Sequence, residues 1–307
     1  MSRCMSIGAL VLLQITAICV CLSPAWAADM KPEEVVAKHL DSIANAQTRA
    51  SIKSRAIQGP ATFKLMVGGG GLLEGKGGFV SEQGKSNFVL KFNSDYRGEQ
   101  IVTDGNKAYI AATLANHKRS NFGEFIQSQD FVVKEGLLGG ELSTGWALGN
   151  LERLKAKVDF NGTKKFDGKQ VLDLRYHSKK HDDMTVHIYL DPETFHHVAT
   201  VYTISLASNL GGQGPASLAE QTGLVGPSSP SGGADVTQSS KQREIRYTVE
   251  ERFTDFKTTD GVTLPSRYDL RYTQELQSGS TNIYQWNLDA SEVSQNVSLD
   301  PRNFEVK

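Results

Sequence analysis

The sequence predicts a mainly β protein of the α+β class, with one large antiparallel sheet that is apolar on one face and covered there by helices. Three observations predict it. Apolar residues recur at every second position through most of the chain. Hairpin-type turns separate these runs. The apolar stretches that lack the alternation are one N-terminal helix and one glycine-punctuated segment.

Residues 1–27 have the three parts of a cleavable secretory signal: Arg3, an apolar run from Ile7 to Leu22, and Ser23-Pro24-Ala25-Trp26-Ala27, an A-x-A cleavage site. Gln14 and Thr16 interrupt the run, which falls short of the roughly 20 apolar residues that span a bilayer. No stable membrane anchor is therefore expected. Ile18 before Cys19 and Val20 before Cys21 are not the small residue that lipoprotein processing needs. Cys4, Cys19 and Cys21 all lie in the signal, so residues 28–307 are expected to form no disulfide, thiolate metal site or cysteine nucleophile. A chain of this size can bury about 75% of its unfolded surface, enough for one unstapled core. A formal net charge of −1 lacks the basic footprint of a nucleic-acid partner.

The segment after the signal opens with a helix. Asp29 suits the N-cap, Pro32 the first turn, Glu33 and Glu34 the positive end of the helix dipole, and Val36, Leu40 and Ile43 form an apolar stripe. The period then changes to two. Phe63/Leu65/Val67, Phe88/Leu90/Phe92, Leu172/Leu174/Tyr176, Met184/Val186/Ile188/Leu190, Val198/Thr200/Tyr202/Ile204/Leu206, Leu264/Tyr268/Leu270/Tyr272 and Tyr284/Trp286/Leu288 read as half-buried strands. Asp104-Gly105-Asn106, Phe166-Asp167-Gly168 and Thr259-Asp260-Gly261 are turns too short for parallel crossovers, which excludes a doubly wound α/β fold.

Two segments break the rhythm. Residues 121–154 are rich in Phe, Leu, Val and Trp without alternation and are punctuated by Gly136, Gly139, Gly140 and Gly145, which predicts short helices and loops lying against the sheet. Residues 208–240 turn to Gly, Ser, Pro and Ala, a composition that cannot offset ordering entropy by burial, and read as a flexible low-complexity loop joining two strands of a single domain over 28–307.

Few chemical motifs stand out. His177, His181 and His187 with Asp182 and Asp183 form the best cluster for a metal, but His177 and His181 flank a hairpin turn and His187 opposes the apolar face of its strand; no metal and no cofactor is expected. His196 and His197 read as exposed rings at a turn. The glycine run 68–78 fits neither phosphate-binding spacing and reads as a hairpin connection. Ser143 lacks the glycine of a nucleophile elbow, and the neighbouring carboxylates Glu250 and Glu251 face opposite sides of a strand. Nothing in these residues demands an enzyme.

In order and in wording the chain resembles the LolA-type periplasmic lipoprotein carriers and the wider outer-membrane lipoprotein-sorting-like superfamily. The resemblance rests on the N-terminal helix, the strand word Glu74-Gly75-Lys76-Gly77-Gly78-Phe79, the hairpin Ile101-Val102-Thr103-Asp104-Gly105-Asn106-Lys107-Ala108-Tyr109 and the apolar lid segment after it. It continues with the strand and turn of residues 186–194, the pattern of residues 256–265, and Leu299-Asp300 with Phe304 as a closing strand. Where the family has an Arg-Pro pair whose arginine helps latch the lid, this chain has Glu82-Gln83-Gly84-Lys85, and it is longer, mainly through 208–240.

The resemblance implies a curved antiparallel half-barrel, capped by the N-terminal helix and short lid helices, whose concavity takes a lipid or lipoprotein acyl chains in the bacterial periplasm. On that basis Phe63, Leu65, Phe88, Leu90, Phe92 and Tyr109 are expected to line the sheet, and Phe122, Phe125, Ile126 and Trp146 to form the lid of a non-enzymatic carrier, which could also meet an envelope membrane protein. Two other readings stay open: an envelope sensor or assembly module that binds a protein partner on the same fold, and an enzyme marked by a buried ionisable residue in the concavity.

Overall fold

The computed structural model describes residues 30–66, 71–206, 245–276 and 279–306. Residues 1–27, read above as a secretory signal, Asp29, Val67 and residues 208–240, read above as a loop, lie outside them.

Two helices come first, α1 (Pro32–Ile43) and α2 (Ala46–Ser51). Pro32 opens α1 because its fixed φ and missing N–H fit the first helical position. The N-cap is Lys31, not Asp29, and no side chain caps the helix. α1 buries Val35, Val36, His39 and Ile43, while Leu40 is only half-buried, so the inward face sits slightly to one side of the predicted stripe. Asn45 caps α2 by accepting from Thr48 N at 2.9 Å.

The strands follow: β1 (Ser54–Leu65), β2 (Leu72–Glu82), β3 (Lys85–Phe92), β4 (Gly98–Thr103) and β5 (Ala108–Ile110), then β6 (Lys157–Phe166), β7 (Lys169–His177), β8 (Thr185–Leu190), β9 (His197–Leu206), β10 (Ile245–Thr259), β11 (Val262–Glu275), β12 (Thr281–Asp289) and β13 (Glu292–Gln295). Among the described residues they form one sheet in the order β5-β4-β3-β2-β1-β12-β11-β10-β9-β8-β7-β6, with β13 also on β1. Every pairing is antiparallel, and the sheet is not closed into a barrel. Two meanders therefore meet at β1, which pairs β12 through residues 61–65 and β13 through residues 55–58.

Part of the glycine run proves to be strand. Gly75, Gly77 and Gly78 lie inside β2, paired to β1 and β3. A Cβ on Gly77 would come within 2.7 Å of a Leu90 methyl and 2.8 Å of a Leu288 methyl, so the missing side chain lets these leucines close over β2. Leu299–Phe304 is likewise not a closing strand. Pro301–Phe304 is a 3-10 turn that buries Phe304 and accepts a 2.9 Å bond from Asn87 at Asn303 O, covering the outer side of β3.

Residues 121–154 cover the inner face as α3 (Asn121–Ser128), α4 (Phe131–Lys134), 3-10 turns at Gly140–Leu142 and Ala147–Asn150, and α5 (Leu151–Leu154). Ser120 caps α3, accepting from Gly123 N at 2.8 Å. Phe122, Phe125, Ile126, Phe131, Val132, Val133, Leu137, Leu138 and Leu142 all join the main core. Among the described residues, no helix is long and apolar enough to cross a membrane.

Candidate functional site

Pleating decides what lines the inner face. The register Ile57, Phe79, Phe88, Ile101, Ile110 runs across β1 to β5 and fixes that face, because paired residues share a side. Phe88, Leu90 and Phe92 lie on it and are buried. Phe63 joins them, half-buried, with its ring 4.5 Å from Tyr96, 5.4 Å from Trp286 and 6.1 Å from Phe92. Leu65 shares the face but sits half-buried at the end of β1. Tyr109 does not line the concavity: it pairs with Val102 and points to the opposite side, while its neighbour Ile110 faces in. One residue of parity separates the two.

The lid residues divide into two places. Phe122 meets Trp286 at 5.1 Å and Tyr272 at 5.7 Å, and Phe125 meets Tyr272 at 5.3 Å and Tyr247 at 6.1 Å, with Ile126 fully buried beside them. The lid thus fills the concavity with its own rings. Trp146 is elsewhere, stacked on His197 at 4.9 Å and edge-on to His39 beneath α1.

The same face carries charge that the sequence reading did not place there. Arg55 on β1 is 4% exposed; its Nη1 donates to the lid carbonyls Glu141 O (2.6 Å) and Leu142 O (3.2 Å), and its Nε to Gln295 Oε1 (3.0 Å). Burial lowers its pKa to about 10, which leaves it charged. Glu251 on β10 is fully buried and accepts from Tyr202 Oη at 2.5 Å, Tyr268 Oη at 2.7 Å and the lid amide Gly139 N at 2.6 Å. Burial outweighs those donors and pushes its pKa up to about 7. Ser81 on β2 accepts from Thr144 N at 2.9 Å. Three sheet side chains therefore grip the lid backbone from below. On the flanks, Glu135 of the lid accepts from Tyr176 and Ser178, and Asn121 donates to Tyr284 Oη at 2.7 Å.

A further carboxyl, Glu99 on β4, accepts from Tyr96 Oη at 2.7 Å, and that hydroxyl in turn accepts from Trp286 Nε1 at 2.7 Å. Burial, opposed by bonds from Ser120 and Tyr96, raises Glu99 to about 7.

The histidines are also redistributed. His197, expected at an exposed turn, is fully buried in β9 and bonds Thr200 Oγ1 at 2.7 Å; burial holds its pKa well below the usual value. The polar run before it stops one residue earlier, with His196 half-buried on Phe256 at 4.3 Å. His39 Nδ1 donates to Phe195 O, so its Nε2 accepts from Trp146 Nε1 at 2.9 Å. That nitrogen lies 3.9 Å from Glu141, yet the pair is no ion pair, because the ring is neutral and burial pushes its pKa down to about 4. His177 bonds Asp159, His187 bonds Asp173 on the outer face, and His181 stacks on Phe131 at 4.5 Å. Among the described residues, no group of three or more His, Cys, Asp or Glu side chains is arranged to hold a metal ion.

Glycine gives the lid its density rather than slack. Gly136 and Gly139 adopt φ of +72° and +79°; a Cβ would reach 2.1 Å from Gly145 O in the first case and 2.6 Å from the Phe79 ring in the second.

No family model matches the sequence, and no curated protein does. Solved structures do. A LolA superfamily protein from Nitrosomonas europaea is 11% identical, with 90% of this chain and 98% of that chain covered and a TM-score of 0.42. A DUF1329 family protein from Desulfovibrio piger, also 11% identical, covers the same shares at a TM-score of 0.46. The MucA/MucB complex of Pseudomonas aeruginosa aligns over 86% of this chain and 99% of that chain, at 11% identity and a TM-score of 0.22.

Proposed function

We propose that this protein is an exported, periplasmic, non-enzymatic binder that receives an apolar ligand, a lipid or the acyl chains of a lipoprotein, on the inner face of its sheet when the lid of residues 121–154 lifts. The chain from 28 to 307 acts as one domain, with 208–240 as a loop between β9 and β10. The observation that carries this reading is the seam under the lid. Arg55, Ser81 and Glu251 bond the lid backbone, while over the floor the lid packs ring against ring.

A permanent core gains little from buried charge, since an apolar replacement of similar volume is often as stable or more so. Charge is better suited to a contact that must open, because the released groups are welcomed by water. The ring contacts are apolar on both sides, so an acyl chain can replace Phe122 and Phe125 over Tyr272 and Trp286 without leaving a void. The expected ligand thus trades places with the lid.

Titration with a diacylated lipopeptide tests this. Saturable binding should raise the unfolding temperature in a concentration-dependent way, and native mass spectrometry should show a one-to-one complex. A protein that gains no thermal stability and emerges free of lipid from gentle purification would contradict it.

A further inference from the structure

Between the C-terminal half of the lid and the N-terminal helices, away from the aromatic floor, a cleft of about 380 Å³ opens among α1, α2 and the turn that follows Glu141. Leu40, Ile43, Ile52 and Trp146 supply an apolar wall, and Arg55, Glu141 and Thr144 lie at its polar side. Two buried oxygens here have no hydrogen-bond partner, Glu141 Oε1 and Thr144 Oγ1. Buried polar atoms are nearly always satisfied, so two orphans on residues that line one cleft point to a missing partner.

We propose that this cleft is a second binding site, for a small amphiphile with a carboxylate head and a short aliphatic tail. The sign of the head follows from Arg55. Its three bonds run to Gln295 Oε1, Glu141 O and Leu142 O, all uncharged acceptors. The one carboxyl beside it, Glu141, is held by burial well above its usual pKa, and among the described residues no carboxylate forms an ion pair with Arg55. The guanidinium therefore stands buried without a counter-anion, an arrangement that is costly unless completed. The other arginine of the cleft, Arg49, is paired with Asp41 at 2.9 Å. A carboxylate head would accept from the Thr144 hydroxyl, and from Glu141 when that carboxyl holds its proton, and would face the charge of Arg55. An ammonium head would meet that charge as a like one. The tail then lies along Leu40, Ile43, Ile52 and Trp146. The site exists with the lid seated, since Glu141, Thr144 and Trp146 belong to the lid.

The test uses 10-bromodecanoate, decanoate and decylamine. Trp146 and Trp286 are the two tryptophans after residue 27, so Trp286→Phe leaves Trp146 as the reporter in the cleft. The proposal expects saturable quenching of Trp146 by 10-bromodecanoate, competition by decanoate and not by decylamine, and about tenfold weaker binding in Thr144→Val through loss of one bond to a charged group. Glu141→Gln keeps a donor and should bind within about threefold of the natural protein. Unquenched Trp146, or equal competition by decylamine, would overturn it. Quenching confined to Trp286 in the Trp146→Phe variant would place the ligand under the lid, overturning this proposal while supporting the function proposed above.

Discussion

Replacing Glu251 by Gln should remove a pH dependence that the fold carries in one carboxyl. Folding raises Glu251 from 4.5 to about 7, a difference worth about 3 kcal/mol. Because the folded value lies above the unfolded one, the native state binds the proton more tightly. The stabilisation is complete below pH 4.5 and is lost as pH rises through 7. The amide introduced by Glu251→Gln cannot titrate, yet its oxygen can still accept from Tyr202 and Tyr268. The assay is urea unfolding of both proteins between pH 4.5 and 8, reading the difference in unfolding free energy at each pH, so that the other titrating groups cancel. The variant should gain on the natural protein by about 3 kcal/mol across that range. Curves that stay parallel would refute a fully buried Glu251 whose pKa folding raises.

Three further outcomes follow from the packing. Gly136→Ala should destabilise by more than about 2 kcal/mol, because its Cβ meets Gly145 O, whereas Gly168→Ala, with φ +78° and nothing within 4 Å, should cost only about 1 kcal/mol in the same thermal unfolding assay. Phe125→Ala should cost about 3–5 kcal/mol, while Tyr109→Ala on the outer face should cost less than about 1 kcal/mol; equal losses would mean the face assignment is wrong. Arg55→Met should strip the clamp on Glu141 O and Leu142 O, so that hydrogen exchange of amides 137–146 accelerates about tenfold or more while β10 and β11 keep their protection.

The sheet was legible because alternation and turn chemistry are local. The strands around Phe88, Leu174, Ile188, Leu270 and Trp286 sit where period two put them, and Asp104-Gly105, Asp167-Gly168 and Asp260-Gly261 turn where expected. The lid's existence was legible too, from apolar density without a period. Facing was less so: Tyr109 failed because the β5 strand is three residues long and offers too few positions to fix its phase.

The charged grip on the lid was missed although a sign of it was present. Along β10 the inward set is Tyr247, Val249, Glu251, Phe253, an apolar alternation broken by one acid. Along β1 Arg55 stands in phase with Ile57, Ala61 and Phe63, and along β4 Glu99 with Ile101. A charge in the buried phase of a strand is the readable feature. What it touches is not, since Gly139, Leu142 and Tyr202 reach these groups from distant parts of the chain. His197 was misplaced for the same reason: its burial is made by Trp146 and Phe253, at ring distances of 4.9 and 4.1 Å.

On the proposed function, an acyl chain replaces the lid's rings over Trp286. A lipopeptide whose acyl chains carry bromine, added to the Trp146→Phe variant, measures this directly, because heavy-atom quenching acts only at contact and Trp286 then reports from the floor alone. Saturable quenching that the unbrominated lipopeptide reverses is the expected result. Fluorescence that stays unchanged while the lipopeptide is shown to bind, or no binding at all, would contradict it.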